Sequence, residues 1–157
     1  MEERTESRGL AITRAVFDPN VLISARISSK GAPRELLHHW IASDFEMVAS
    51  PEVLFELQEV FIRPKFRRYL TYADALEYVL WIHDRADVVE ELPTDAVQGV
   101  TADPDDDYLP GVVAFGGAEV LVSGDPHLLD LQTIQDDEDR RIARVLTPRP
   151  FLYSLRV

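Results

Sequence analysis

Two short apolar runs in this chain each lead into an aspartate. Residues 11–17 end at Asp18, and residues 119–123 lead through Gly124 into Asp125. Both runs have the length and the β-branched or aromatic content of strands, and longer segments with helical apolar spacing lie between them. This alternation predicts an α/β fold in which helices cover a parallel sheet. Ligands of such sheets bind beyond the carboxyl ends of the strands, so the two acids are expected at one crevice.

Turn and capping residues place the other elements. Asp18-Pro19-Asn20 is interpreted as a turn, and Ser50 followed by Pro51 indicates the start of a helix. The pattern predicts further strands at Phe45–Ala49, Val88–Val89 and Arg144–Leu146, and further helices from Pro33, over Ala75–Ile82, over Tyr108–Phe115 and after Thr147-Pro148.

The length of 157 residues fits one domain. We expect a flexible N-terminal extension over residues 1–10 and the folded domain over residues 11–157. The chain has no Cys, which excludes disulfides and thiolate metal sites, so a metal would be held by oxygen atoms with or without His. No apolar run reaches the roughly 18 residues of a membrane span, and the expected location is the cytoplasm.

Charge is unevenly distributed. The net charge of −12 argues against tight, non-specific binding to nucleic acid. Acidic residues cluster at 103–107 and 136–139, whereas Arg63, Lys65, Arg67 and Arg68 form a basic segment. These four are possible RNA phosphate contacts, and a solvated basic loop is the alternative.

Single acids have ordinary structural interpretations. Asp18 and Asp125 both stand where an aspartate caps a turn or a helix. On the helix opened by Ser50, a wheel stepping about 100° per residue puts Glu56 beside the buried stripe, with Glu52 and Glu59 further out. Glu56 is therefore the acid aimed nearest the sheet, unless its stem merely covers the core while its head reaches water.

The run Asp103-Pro104-Asp105-Asp106-Asp107 has three interpretations. A calcium loop of the EF-hand type is excluded, because the Gly and Glu that it needs are replaced by Tyr108 and Ala114. Helix capping needs only one or two acids. Cation binding explains the cluster, since metal relieves repulsion between carboxylates.

In combination these motifs resemble the PIN-domain family, specifically its VapC-like toxins of toxin–antitoxin pairs. The resemblance covers about residues 14–155. It rests on Asp18-Pro19-Asn20-Val21-Leu22, Ser50-Pro51-Glu52-Val53-Leu54-Phe55-Glu56-Leu57, Arg63-Pro64-Lys65-Phe66, Asp103-Pro104-Asp105-Asp106-Asp107-Tyr108 and Ser123-Gly124-Asp125. It implies a three-layer α/β/α sandwich with a central parallel sheet.

The resemblance also implies an acidic catalytic pocket formed by Asp18, Glu56, Asp107 and Asp125. Asp18, Asp107 and Asp125 would hold Mg²⁺ or Mn²⁺, and Glu56 would be a further ligand or a base that orients water. Asn20 and Ser123 match the polar residues that surround the family's acids. Three departures are Pro19 for the usual Thr, His127 for a common second Asp, and Pro110-Gly111 for Leu-Ala.

The function implied is a metal-dependent endoribonuclease, with RNA as substrate, a small antitoxin that places a basic side chain in the acidic pocket, and a homodimeric state. A catalytically impaired PIN domain that acts by binding a partner is the alternative, because Pro19 removes a backbone donor and Pro110 could distort a helix. An aspartyl phosphatase is disfavoured, because that class carries a second Asp where this chain has Asn20.

Overall fold

The computed structural model describes residues 12–90, 108–136 and 138–156. The expected N-terminal extension and the acidic run 103–107 lie outside these residues. Among the helices described, none is long and apolar enough to cross a membrane.

Strands and helices alternate along most of the described chain. The strands are β1 (Arg14–Phe17), β2 (Glu46–Ala49), β3 (Asp87–Val88), β4 (Val120–Val122), β5 (Thr133–Gln135) and β6 (Arg141–Leu146). The helices are α1 (Pro19–Ile27), α2 (Ala32–Ile41), α3 (Pro51–Phe61), α4 (Tyr72–Arg85), α5 (Tyr108–Gly116), α6 (Pro126–Leu129) and α7 (Pro148–Ser154), with a 3₁₀ helix at Pro64–Arg68.

The strands form one sheet in the order β3-β2-β1-β4-β6-β5. The pairings from β3 to β6 are all parallel, which confirms the predicted α/β fold with a central parallel sheet. The edge strand β5 was not predicted, and it pairs antiparallel with β6. Its three residues, Thr133–Gln135, are too few to show an alternating apolar pattern.

The chain covers both faces of the sheet. Phe17 stacks on Phe45 with ring centroids 5.5 Å apart, and the ring of Phe151 from α7 meets both edge-on. Successive side chains of a strand point to opposite faces, so Val16 faces away from this cluster. Val48 is in register with Val16, and α5 approaches it through Gly116. The sheet is therefore sandwiched between α5 and the group of helices that includes α7.

Two prolines that could have disturbed helices occupy positions where they are tolerated. Asp18 is the N-cap of α1 and Pro19 is its first residue, so the predicted turn is the start of a nine-residue helix. Pro110 is the third residue of α5, within the first turn. The N–H groups of a first turn have no partner within the helix, so neither proline removes a helical hydrogen bond.

Gly116 is the point of closest approach between α5 and the sheet. A Cβ atom at this position would lie 2.3 Å from Cγ1 of Val48 and 3.3 Å from Cγ2 of Val89. We expect Gly116→Ala to lower the free energy of unfolding by about 1–3 kcal/mol, the usual penalty of overpacking, as measured by urea denaturation.

Gly124→Ala is the matched control, because no heavy atom lies within 4 Å of the added Cβ and the residue has no left-handed φ. It should change stability by less than about 0.5 kcal/mol. Val48→Ala and Gly116→Ala together should cost less stability than the sum of the two single changes, because the smaller side chain removes the clash. An additive double variant would show that this contact does not limit the packing.

Candidate acidic active site

Asp18 lies where β1 ends, at the switch point between the two halves of the sheet. In the sheet, β1 lies between β2 and β4. The chain continues from β1 to β2 in one direction, and β4 begins the other half of the sheet. In open α/β sheets, ligands bind in the crevice at this point. The side chain is buried, with the residue 4% exposed. Its Oδ1 accepts from the backbone N–H of Asn20 at 3.0 Å, and its Oδ2 accepts from the Ser123 hydroxyl at 2.8 Å.

Asp125 reaches the same edge from β4. Ser123 is fully buried at the end of that strand, and its hydroxyl oxygen accepts from the backbone N–H of Asp125 at 3.0 Å. Asp125 is half-buried, and its Oδ1 accepts from the backbone N–H of His127 at 2.9 Å. The Ser123 hydroxyl thus links the two aspartates through the ends of neighbouring strands.

Both burial and a neighbouring charge act on Asp18. Desolvation is the main cause that raises the pKa of Asp18, and repulsion from Asp125 raises it further. The hydrogen bonds from Asn20 and Ser123 act in the opposite direction without cancelling the effect. The ionised form of Asp18 is therefore less favourable here than in water.

Glu56 is positioned by α3 and by a tyrosine. Ser50 caps this helix through a bond from the backbone N–H of Val53 at 3.2 Å, as predicted. Glu56 is half-buried, whereas Glu52 and Glu59 are exposed, which agrees with the helical wheel. The Tyr108 hydroxyl donates to Oε1 of Glu56 at 2.5 Å.

Tyr108 was not singled out in the sequence. It is the first residue of α5, immediately after the acidic run, so its bond fixes the start of that helix against Glu56. Only its position in the sequence could have indicated this role, because a tyrosine at the start of a helix can reach a carboxylate on a neighbouring element.

The described residues bring only part of the predicted acidic pocket together. Asp18, Ser123 and Asp125 are joined, and Asp107 lies outside the described residues. Within residues 12–90, 108–136 and 138–156, no three acids or histidines form a group that could hold a metal ion. Asn20 meets Asp18 through its backbone, and its side chain is exposed, as is that of His127.

The basic segment lies on the 3₁₀ helix after α3. Arg63, Lys65 and Arg68 are exposed. Arg67 differs, since it is half-buried, donates from Nη2 to the carbonyl of Phe61 and lies over the ring of Tyr72 at 4.3 Å from the centroid. Its Nε and Nη1 are buried without a hydrogen-bond partner in the described structure. Arg67 therefore takes part in the packing of the fold, whereas the other three basic side chains are exposed to solvent.

A cavity of about 600 Å³ lies at the opposite edge of the sheet, away from Asp18. Arg14 lines it and forms ion pairs with Glu46 at 2.9 Å and Asp87 at 2.7 Å, and it also donates to the carbonyl of Gly116. These contacts join the starts of three strands to the end of α5. We interpret this edge as structural, because Arg14 is held by two acids and Arg85, which also lines the cavity, donates to the carbonyls of Trp40 and Ile41.

Known proteins resemble this chain in sequence and in fold. The uncharacterized protein MJ1680 of Methanocaldococcus jannaschii is 27% identical over 145 residues, which cover 88% of this chain and 89% of that protein. The crystal structure of PAE2754 from Pyrobaculum aerophilum matches in fold with a TM-score of 0.62 at 16% identity, over 92% of this chain and 90% of that one.

VapBC2 from Rickettsia felis, solved with a DNA fragment from its promoter, matches with a TM-score of 0.49 at 16% identity, over 72% of this chain and 89% of that one. A family model described as PIN domain matches residues 14–127, most of the chain. This chain therefore belongs to the PIN-domain family, whose members are generally nucleases.

Proposed function

We propose that this chain is a divalent-metal-dependent endoribonuclease and the toxin of a toxin–antitoxin pair. The observation that carries the proposal is the pairing of buried Asp18 with Asp125 at the switch point of the sheet. Two carboxylates from separate strands converge there although each raises the energy of the other's charge. The family membership directs this site towards nuclease chemistry.

The donor atoms of this site fit a hard divalent cation. Carboxylate oxygens are the ligands that Mg²⁺ and Mn²⁺ prefer, and the chain offers no thiolate. A cation between Asp18 and Asp125 would offset the desolvation and the repulsion that raise the pKa of Asp18. In our proposal Asp107 completes the set of ligands.

Bound there, a divalent ion would acidify a water molecule and stabilise the charge that develops on the phosphodiester. The residues supply orientation. Ser123 and the backbone N–H of Asn20 fix both oxygens of Asp18, so its carboxylate cannot rotate freely. Tyr108 holds Glu56, which we assign as a ligand or as the base that takes a proton from the attacking water.

The proposed partners follow from the same charges. RNA would contact the exposed cations Arg63, Lys65 and Arg68, with Arg67 supporting them. An antitoxin would place a basic side chain against Asp18 and Asp125, where a cation is favourable. The proposed assembly is a homodimer, which follows from the resemblance to VapC-like toxins and not from these charges.

A PIN domain that acts only by binding a partner is the second candidate function. The net charge of −12 is the observation that favours it, because an acidic protein repels a polyanionic substrate. Pro19 and Pro110 both stand in first turns, so neither distorts a helix in a way that would favour this function.

Asp18→Asn tests whether the buried charge of Asp18 lowers the stability of the fold. A carboxyl whose pKa is raised in the folded protein opposes folding as the pH rises from its ordinary pKa through the raised one. At pH 7 in EDTA we therefore expect Asp18→Asn to raise the melting temperature by about 2–4 °C, the shift for a gain of about 1 kcal/mol. The gain should shrink in acid, where Asp18 itself becomes protonated.

With Mn²⁺ the wild type should become more stable than Asp18→Asn, because the metal stabilises only a folded protein that binds it. Saturation to about 100 times the dissociation constant would stabilise the wild type by about 2.7 kcal/mol and Asp18→Asn by much less. Asp84→Asn, a change at an exposed acid on α4, should respond to the metal like the wild type. A wild type that Mn²⁺ does not stabilise would favour the partner-binding function.

A further prediction concerns cleavage of structured RNA with Mn²⁺. We expect Asp18→Asn, Asp107→Asn and Asp125→Asn each to lower kcat by at least about a hundredfold, because each removes a proposed ligand. Glu56→Gln should lose about 10²- to 10⁴-fold if Glu56 is the base. Initial rates at saturating RNA measure both effects.

Glu59→Gln is the matched control for Glu56→Gln, because Glu59 lies on the same helix and is exposed. It should retain the rate of the wild type. Any aspartate variant that cleaves undiminished does not belong to the site.

A further inference from the structure

An exposed surface after α3 combines cations with aromatic rings. We call it the basic–aromatic ledge, formed by Arg63, Lys65, Arg68, Tyr69 and Tyr72. Its three cations are exposed, and Tyr69 and Tyr72 are 50% and 49% exposed. Two half-exposed rings close together in the sequence leave part of their aromatic surface accessible to a ligand.

The charge of the ledge is opposite to that of the chain. Four of the 16 basic residues stand between residues 63 and 68, and residues 60–73 contain no acid, although the net charge is −12. Positive charge concentrated on an acidic protein marks a contact for an anionic ligand. Net charge alone would have hidden it.

The rings of the ledge each carry a guanidinium. Arg68 lies over Tyr69 at 5.3 Å from the ring centroid, and Arg67 lies over Tyr72 at 4.3 Å. Arg67 is in turn tied to the end of α3 through the carbonyl of Phe61. Each guanidinium covers one face of its ring, so a base would stack on the other face while the cation contacts an adjoining phosphate.

The direction of α4 puts the ledge near the carboxyl ends of the parallel strands, where Asp18 lies. The last turn of α4 lies near the amino ends of the strands, because Arg85 donates to the carbonyls of Trp40 and Ile41 at the end of α2, just before β2 begins. Near the middle of α4, Tyr78 donates to the carbonyl of Leu22 at 2.7 Å.

The remaining distances follow from helix geometry. Leu22 lies on α1, one turn after Asp18, so the bond from Tyr78 sets the height of α4 relative to the acids. Tyr72 lies about 9 Å before Tyr78 along its helix, in the direction of the carboxyl ends of the strands. The ledge is therefore on the side of the acids.

We propose that the basic–aromatic ledge binds unpaired nucleotides of the RNA substrate, with a base stacked on Tyr69 and the adjoining phosphates on Arg63, Lys65 and Arg68. The inference rests on the proposed nuclease function, and it assigns how that site holds its substrate. Bases in a duplex are already stacked, so the ledge would select single-stranded stretches. The charge favours RNA over a protein partner, because a polyanion matches cations spaced along one short segment.

The test measures binding separately from cleavage. A fluorescein-labelled oligouridine of about twelve nucleotides is titrated with the full chain in EDTA, and fluorescence anisotropy gives the dissociation constant. We expect Tyr69→Leu to weaken binding about tenfold, and Tyr69→Phe to bind like the wild type, since stacking needs the ring and not the hydroxyl. Binding of a blunt RNA duplex should be the same in all three proteins.

Tyr153→Leu is the matched control. Tyr153 is 52% exposed and has Arg156 over its ring at 5.6 Å, but that arginine is paired with Glu35 and lies outside the basic segment. This variant should bind oligouridine like the wild type. Arg68→Gln should reduce the slope of log K against log salt by about 0.7, as expected for one phosphate contact on a single strand.

The outcomes separate the ledge from the nuclease proposal. Loss of binding in Tyr69→Leu, with the fold intact by thermal melting and Tyr153→Leu unaffected, supports the ledge even where the wild type cleaves no RNA. Equal binding by Tyr69→Leu and the wild type overturns the ledge even where Mn²⁺-dependent cleavage is present, and it would assign this surface to a protein partner. Equal losses in Tyr69→Leu and Tyr153→Leu overturn it as well.

Discussion

The hydrogen bond from the Ser123 hydroxyl to Asp18 is the contact on which the candidate site depends. It joins the ends of β1 and β4, the two strands that flank the switch point. The backbone N–H of Asp18 also donates to the carbonyl of Val122 at 2.9 Å, so the ladder between these strands continues to the acid itself. A buried carboxylate without these donors would be much less stable, because nothing would replace its lost hydration.

Capping is compatible with the catalytic role proposed for the same aspartates. Asp18 caps α1 and Asp125 caps α6. In each case one carboxylate oxygen accepts from a backbone N–H of the helix, which is the ordinary role of an aspartate at that position. Capping alone does not require that Asp18 be buried or lie near a second acid, since helix caps normally reach water at the surface. The burial and the raised pKa are the features that capping leaves unexplained.

The sequence predicted the sheet and the orientation of Glu56, because strand and helix periods are local properties that single segments display. It did not predict α1, since Asp18-Pro19-Asn20 is equally good chemistry for a turn and for a helix start. Tyr108 was missed for another reason. Its partner Glu56 is 52 residues away, and only the packed fold shows that the two meet.

Charge is used differently at the two edges of the sheet. At the edge where the parallel strands begin, Arg14 lies between Glu46 and Asp87, and its two ion pairs join three strands. At the other edge, Asp18 meets the like charge of Asp125. The ion pairs where the strands begin stabilise the sheet, whereas the repulsion between the two acids where the strands end destabilises it. Removing one of those two acids should therefore raise the free energy of unfolding. Keeping that repulsion is reasonable when the two acids serve a bound cation rather than the stability of the chain.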